Sequence, residues 1–129
     1  MMGVQQCKKV ANAKKKLENV LEELRRGTVV VEGVHDYKVL EALGINSIVT
    51  FDRLIYNHAD IDKNKPVYII MDNDKGGRSK EEKAMALLLE KGITNIDLER
   101  GKLLLKLTSA RSVEELLEPI RRITENKEE

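Results

Sequence analysis

The sequence predicts an α/β fold in three layers, with a central, mainly parallel sheet of about four strands flanked by helices. Two observations carry this. Segments of helical period alternate with short β-branched runs along the whole chain, the pattern of a parallel sheet with helical crossovers. Two of those runs, Thr28–Val31 and Val67–Met71, are continuously apolar, as strands buried on both faces must be.

The elements follow in order. A first helix is predicted over about 8–26, its apolar spacing beginning near Val10 and placing Leu17, Val20, Leu21 and Leu24 on one face. Gly27 after Arg25 and Arg26 reads as its stop. Thr28–Val31 is the first strand and runs into Glu32-Gly33. A helix from about Asp36 to Leu43 is closed by Gly44. Ile45 to Thr50 reads as a second strand and Asp52 to Ala59 as a short helix. Pro66 introduces the third strand, Val67–Met71, which runs into Asp72-Asn73-Asp74-Lys75-Gly76-Gly77. Ser79 or Gly77 caps a helix to about Lys91, with Ala84, Leu87 and Leu88 inward, and Gly92 stops it. Ile93 to Leu98 and Lys102 to Leu107 read as two short strands joined at Arg100-Gly101. Ser112, with Glu115 at the capping-box spacing, opens a last helix over about 112–123.

A chain of 129 residues is the size of one domain, here with a core over about 28–117. Net charge is +1, so no global basic field advertises nucleic-acid binding. The charge is uneven, however, with five lysines between Lys8 and Lys16. Such a run can grip a phosphate backbone, although most charge runs are solvated helix faces. The tail after Asn126 is expected to fray. Cys7 is the single cysteine, which excludes an internal disulfide and suits a reducing, cytoplasmic setting. No apolar run approaches the ~20 residues of a membrane span, and no secretory h-region is recognisable. A domain this small commonly works as a homodimer or within a complex.

The chemistry-bearing residues sit where the two apolar strands end. In parallel α/β sheets, ligands bind beyond the carboxyl ends of the strands. If the first and third strands are neighbours, Glu32, Asp72 and Asp74 converge, and converging carboxylates repel unless a proton or a cation intervenes. Mg²⁺, or Mn²⁺ in its place, suits oxygen ligands of this kind. Gly33, Gly76 and Gly77 would let backbone approach a phosphate, or simply serve strand-to-helix turns. His35, Lys75, Arg78 and Lys80 lie close enough in sequence to contact phosphate, or in the case of the cations to balance the acids. His58 has no strand-end placement and is read as a surface residue.

Two motifs together resemble those of the Toprim family, a Rossmann-like catalytic domain. Val29-Val30-Val31-Glu32-Gly33-Val34-His35-Asp36, followed by Leu40 and Leu43-Gly44, resembles its first motif, and Ile69-Ile70-Met71-Asp72-Asn73-Asp74-Lys75-Gly76-Gly77 its second. The match spans about Thr28 to Leu117 and is most similar to small stand-alone archaeal members and to the Toprim half of a ribosomal-RNA-maturation nuclease. The resemblance implies Mg²⁺-dependent phosphodiester chemistry on nucleic acid, RNA or DNA, most simply nucleolytic cleavage. It implies Glu32 as general acid or base and Asp72 and Asp74 as metal holders, with Glu32 sharing the ion. It does not extend to a topoisomerase, which presents a tyrosine from another domain. Nor does it extend to a primase, because one cysteine cannot build that family's zinc module.

Other readings fit less well. A calcium loop starting at Asp72 would place Lys83 where a bidentate glutamate is required. A haloacid-dehalogenase-like phosphatase carries its Asp-x-Asp on the first strand, not the third. A non-catalytic module that binds nucleic acid or recruits a partner remains the alternative from another class. With aromatics at 3% and no Trp, contact with nucleic acid would run through backbone phosphates rather than base stacking.

Overall fold

The computed structural model describes residues 2–56 and 59–125, and side chains from residue 12 onward within them. His58, the tail from residue 126 and the side chains of Lys8 and Lys9 therefore lie outside the described residues. The fold is α/β. Four parallel strands, β1 (Thr28–Val31), β2 (Ile48–Thr50), β3 (Val67–Ile69) and β4 (Ile96–Asp97), form one sheet in the order β2-β1-β3-β4. The helices are α1 (Met2–Arg25), α2 (Val34–Ala42), α3 (Phe51–Ile55), α4 (Lys75–Glu90), α5 (Glu99–Thr108) and α6 (Leu117–Thr124).

Strand alternation sends successive side chains to opposite faces, and the core divides accordingly. Val29 and Val31 of β1, with Tyr68 and Ile70, pack against Leu17, Leu21 and Leu24 of α1, Leu104 of α5 and Ile120 of α6. Val30, Val67, Ile69 and Met71 face the other way, against Leu54 of α3 and Ala84 and Leu88 of α4. The result is a Rossmann-like sandwich of helices, sheet and helices. No helix among the described residues is long and apolar enough to cross a membrane.

β1 sits at the centre of the pairing. It aligns Val30 with Val49 of β2 on one side and with Ile69 of β3 on the other. From β1 the chain goes first to one flank and then returns to the other, so the crossovers diverge between β1 and β3. That divergence opens a crevice at the carboxyl edge of the sheet.

Several expected elements differ in detail, each for a physical reason. Lys102 to Leu107 is not a strand but lies within helix α5. Gly101 is there so that this helix can lie close on β3: a Cβ at Gly101 would come 2.8 Å from Ile70 Cγ1 and 2.9 Å from the Ile69 carbonyl. The expected strand over Ile93 to Leu98 shrinks to the two residues of β4. Helix α4 starts earlier than predicted and is capped by Asp74, not by Ser79 or Gly77. The second strand begins at Ile48 rather than Ile45. The last helix is split into a 3-10 turn at Val113–Glu115 and then α6. Pro119 explains the split, since it has no N–H to donate and fits only the first turn of a helix. Gly27 does not end α1 through a left-handed turn. It is small because a Cβ would collide with the Pro66 carbonyl and the Tyr68 ring. Gly44 and Gly92, at φ +85° and +82°, are the left-handed stops read from the sequence.

Candidate functional site

The register fixes the site. Val30 is level with Ile69, and Ile70 N–H donates to the Val30 carbonyl at 2.9 Å, so Glu32 and Asp72 leave the sheet within one residue of each other. Both stand at the crevice between β1 and β3, half-buried, with fully buried Val31 beneath Glu32. The carboxyl of Glu32 is pushed above its ordinary value. Burial is the main cause, then the charge of Asp72, then the hydrogen bond that a protonated Glu32 makes with Asp72; Asp36 adds repulsion, and Lys80 opposes the shift. Lys80, one turn into α4, places Nζ 3.9 Å from Glu32 Oε2. Asp72 Oδ1 is buried and has no hydrogen-bond partner. An oxygen in that position is costly unless something pairs with it.

Asp74 is placed differently from the other two acids. Its Oδ1 accepts from Gly77 N–H at 2.7 Å, the side-chain N-cap of α4. Among the described residues no group of three or more His, Cys, Asp or Glu side chains is gathered as a metal cage. Glu32 and Asp72 are thus brought together, whereas the expected convergence of Asp74 with them is not seen, one of its oxygens being committed to its helix. Two carboxylates with one unpartnered buried oxygen still fit Mg²⁺, which is usually held by one or two carboxylates and completes its shell from substrate oxygens and water.

The glycines divide into two kinds. Gly77 is required by the fold, because a Cβ there would lie inside the Asp72 carbonyl. Gly33 is not. Its backbone is extended, at φ −152°, and a Cβ would meet nothing within 4 Å. Gly76 is nearly as free, its nearest neighbour being Asp74 Oδ1 at 3.6 Å. The space over Gly33 is open, at the N-terminus of α2 and beside the carboxylate pair.

Two features were not among the site residues expected from sequence. Asp36 is buried, and its Oδ2 accepts from Gly33 N–H at 3.2 Å, which fixes the turn carrying Glu32. Its carboxyl is also raised, chiefly by burial and then by Asp72 and Glu114, against the hydrogen bonds from Gly33 and Glu32 backbone that lower it. The spacing of an acid three residues after Gly33 could have revealed it. The second is the loop after α5, where the Arg111 carbonyl accepts from Asn73 N–H at 2.9 Å and so supports the Asp72–Asp74 turn. Of the remaining candidates, His35, Lys75 and Arg78 are exposed around the crevice, in the first turns of α2 and α4.

No family model matches the chain, and no curated protein matches it. Among solved structures it is similar to a protein from Aquifex aeolicus, at 20% identity and a TM-score of 0.61, covering 78% of this chain and 94% of that one. At that identity the similarity is one of fold alone.

Proposed function

We propose that this chain is a Toprim-like domain performing Mg²⁺-dependent phosphodiester chemistry on nucleic acid, most simply as a nuclease. The observation that carries the reading is the Glu32–Asp72 pair at the β1/β3 crevice, with Asp72 Oδ1 buried and unpartnered. In this reading Asp72 holds the ion, Glu32 shares it, and Asp74 contributes what its capping role leaves over. When bound, Mg²⁺ would neutralise phosphoryl charge and acidify a water. Ligation and protonation of Glu32 compete; when it is off the ion, where burial and Asp72 favour its proton, it would give that proton to the leaving oxygen as the strand is cut. The open space over Gly33 and the N-termini of α2 and α4 receive the phosphate, and Lys75, Arg78 and Lys80 offset its charge.

The test is cleavage of labelled structured RNA, single-stranded DNA and duplex DNA, with Mg²⁺ or Mn²⁺ and with chelator. Metal-dependent cutting of at least one substrate is expected, with a loss of 10²-fold or more in Glu32→Gln, the scale of a general acid–base contribution. Full activity in Glu32→Gln would remove that residue from the mechanism. The engagement of Asp74 with Gly77 favours a second reading, a non-catalytic nucleic-acid-binding module. Salt-dependent binding without cleavage of any substrate would select it.

A further inference from the structure

A cleft of about 630 Å³ lies beside the carboxylate pair, between α4, α5 and the loop that follows α5. Asp72 is one of its lining residues. Arg78 comes from α4, and Lys102 and Lys106 from one face of α5, four residues apart. Arg111 lines it from the loop that follows α5, beside Asn73, and Met71 and Leu105 add apolar lining. Among the described residues, none of the four cations has an ion pair or a side-chain hydrogen bond. The acids of the lining are Asp72 and Glu81, so the cleft is net positive within a chain of net charge +1. Ser109 adds a hydroxyl from a left-handed backbone position, φ 57°, uncommon for a residue other than glycine.

Unpaired cations around a concave, partly apolar lining concentrate anions. The volume is that of a site for one small organic molecule rather than for a bare ion or a length of duplex. No aromatic side chain lines it, so the body of the ligand would rest on aliphatic surface and its affinity would come from its charge. We propose that this cleft is a subsite for a terminal phosphomonoester on a body of nucleotide size, either a free mononucleotide or the phosphorylated end of a strand. The ligand class rests on the nucleic-acid reading above; the site itself rests on the cleft.

Titration in metal-free buffer with chelator tests it, using backbone amide shifts of the full chain in its Glu32→Gln form. The probes are adenosine 5′-monophosphate, adenosine, and a trinucleotide with and without a 5′-phosphate. At least one phosphorylated probe should bind, with shifts at Lys102–Arg111 and tenfold or more over its unphosphorylated partner. Binding of the mononucleotide alone identifies a free nucleotide as ligand, and binding of the phosphorylated trinucleotide identifies a strand end. The double variant Lys102→Ala/Lys106→Ala should weaken binding at least tenfold, and Arg111→Ala should weaken it independently. All three side chains are exposed, and an unchanged unfolding midpoint shows that the fold is intact. Loss of the phosphate preference, full affinity in the double variant, or failure of both phosphorylated probes to bind would overturn the subsite. Because no cleavage occurs in this titration, binding without nuclease activity in the wild type sinks only the nuclease reading, and cleavage without binding here sinks only the subsite.

Discussion

Glu32 and Asp72 each sit where charge is expensive, and they sit against each other. Because the folded state raises the Glu32 pKa, the stability linked to that proton is fully present below the ordinary glutamate value, about 4.3. It is lost as pH rises through the raised one. Glu32→Gln should therefore stabilise the metal-free protein at neutral pH by about 1 kcal/mol, as removal of a strained active-site charge commonly does. It should also flatten the fall in stability above pH 4.3, part of which Asp36 will still contribute. Denaturant melts at stepped pH check both. The glycines give a second contrast at this scale. Gly33→Ala should leave stability within about 0.5 kcal/mol of wild type, since nothing lies within 4 Å of the new methyl, yet lower cleavage at least tenfold by occupying the open space. Gly77→Ala should cost about 3 kcal/mol or more, because its methyl has no room beside the Asp72 carbonyl. Equal effects of the two substitutions on both readouts would contradict this division.

Among the elements, the start of α4 shows how a capping residue and a metal-binding residue can be confused. Asp-x-Asp followed by Gly-Gly was legible as a motif, but the side-chain cap from Asp74 to Gly77 N–H was not foreseen, although an acid three residues before a glycine has cap spacing. Substitution separates the two roles. Asp74→Ala should cost about 1 kcal/mol, and Asp74→Asn close to nothing, because asparagine caps as well as aspartate. If Asp74 also serves the ion, Asp74→Asn should weaken metal binding while the unfolding midpoint holds; unchanged binding would confine Asp74 to its cap. Helix α5 is hidden in the sequence for a different reason. Lys-Leu-Leu-Leu-Lys-Leu is a short apolar run whose period does not distinguish strand from buried helix, and the contact that decides the matter, Gly101 on Ile69 and Ile70, is tertiary. That ambiguity also concealed the cationic cleft, half of which α5 and its loop provide.

At the scale of the whole molecule, the order β2-β1-β3-β4 turns two separate strand-end motifs into one site. The sequence indicated two buried apolar runs ending in acids, Thr28–Val31 and Val67–Met71, the second of which is strand only as far as Ile69. It did not show that they were neighbours, because adjacency follows from crossover direction rather than local pattern. The apolar faces of α1 and α4 and the stops at Gly44 and Gly92 were readable, being periodic or conformational signals. The partnering of Lys80 with Glu32 and of the Arg111 loop with Asn73 depends on three-dimensional proximity and was not. On the function proposed above, this topology makes a cation site from Glu32 and Asp72. Calorimetric titration of Mn²⁺ into the wild-type chain at neutral pH tests it most directly, alongside Asp72→Asn. Saturable binding is expected in the wild type, tightening as pH rises because the ion competes with the Glu32 proton, with at least tenfold weaker binding in Asp72→Asn. Absence of saturable binding, or equal affinity in Asp72→Asn, would contradict it.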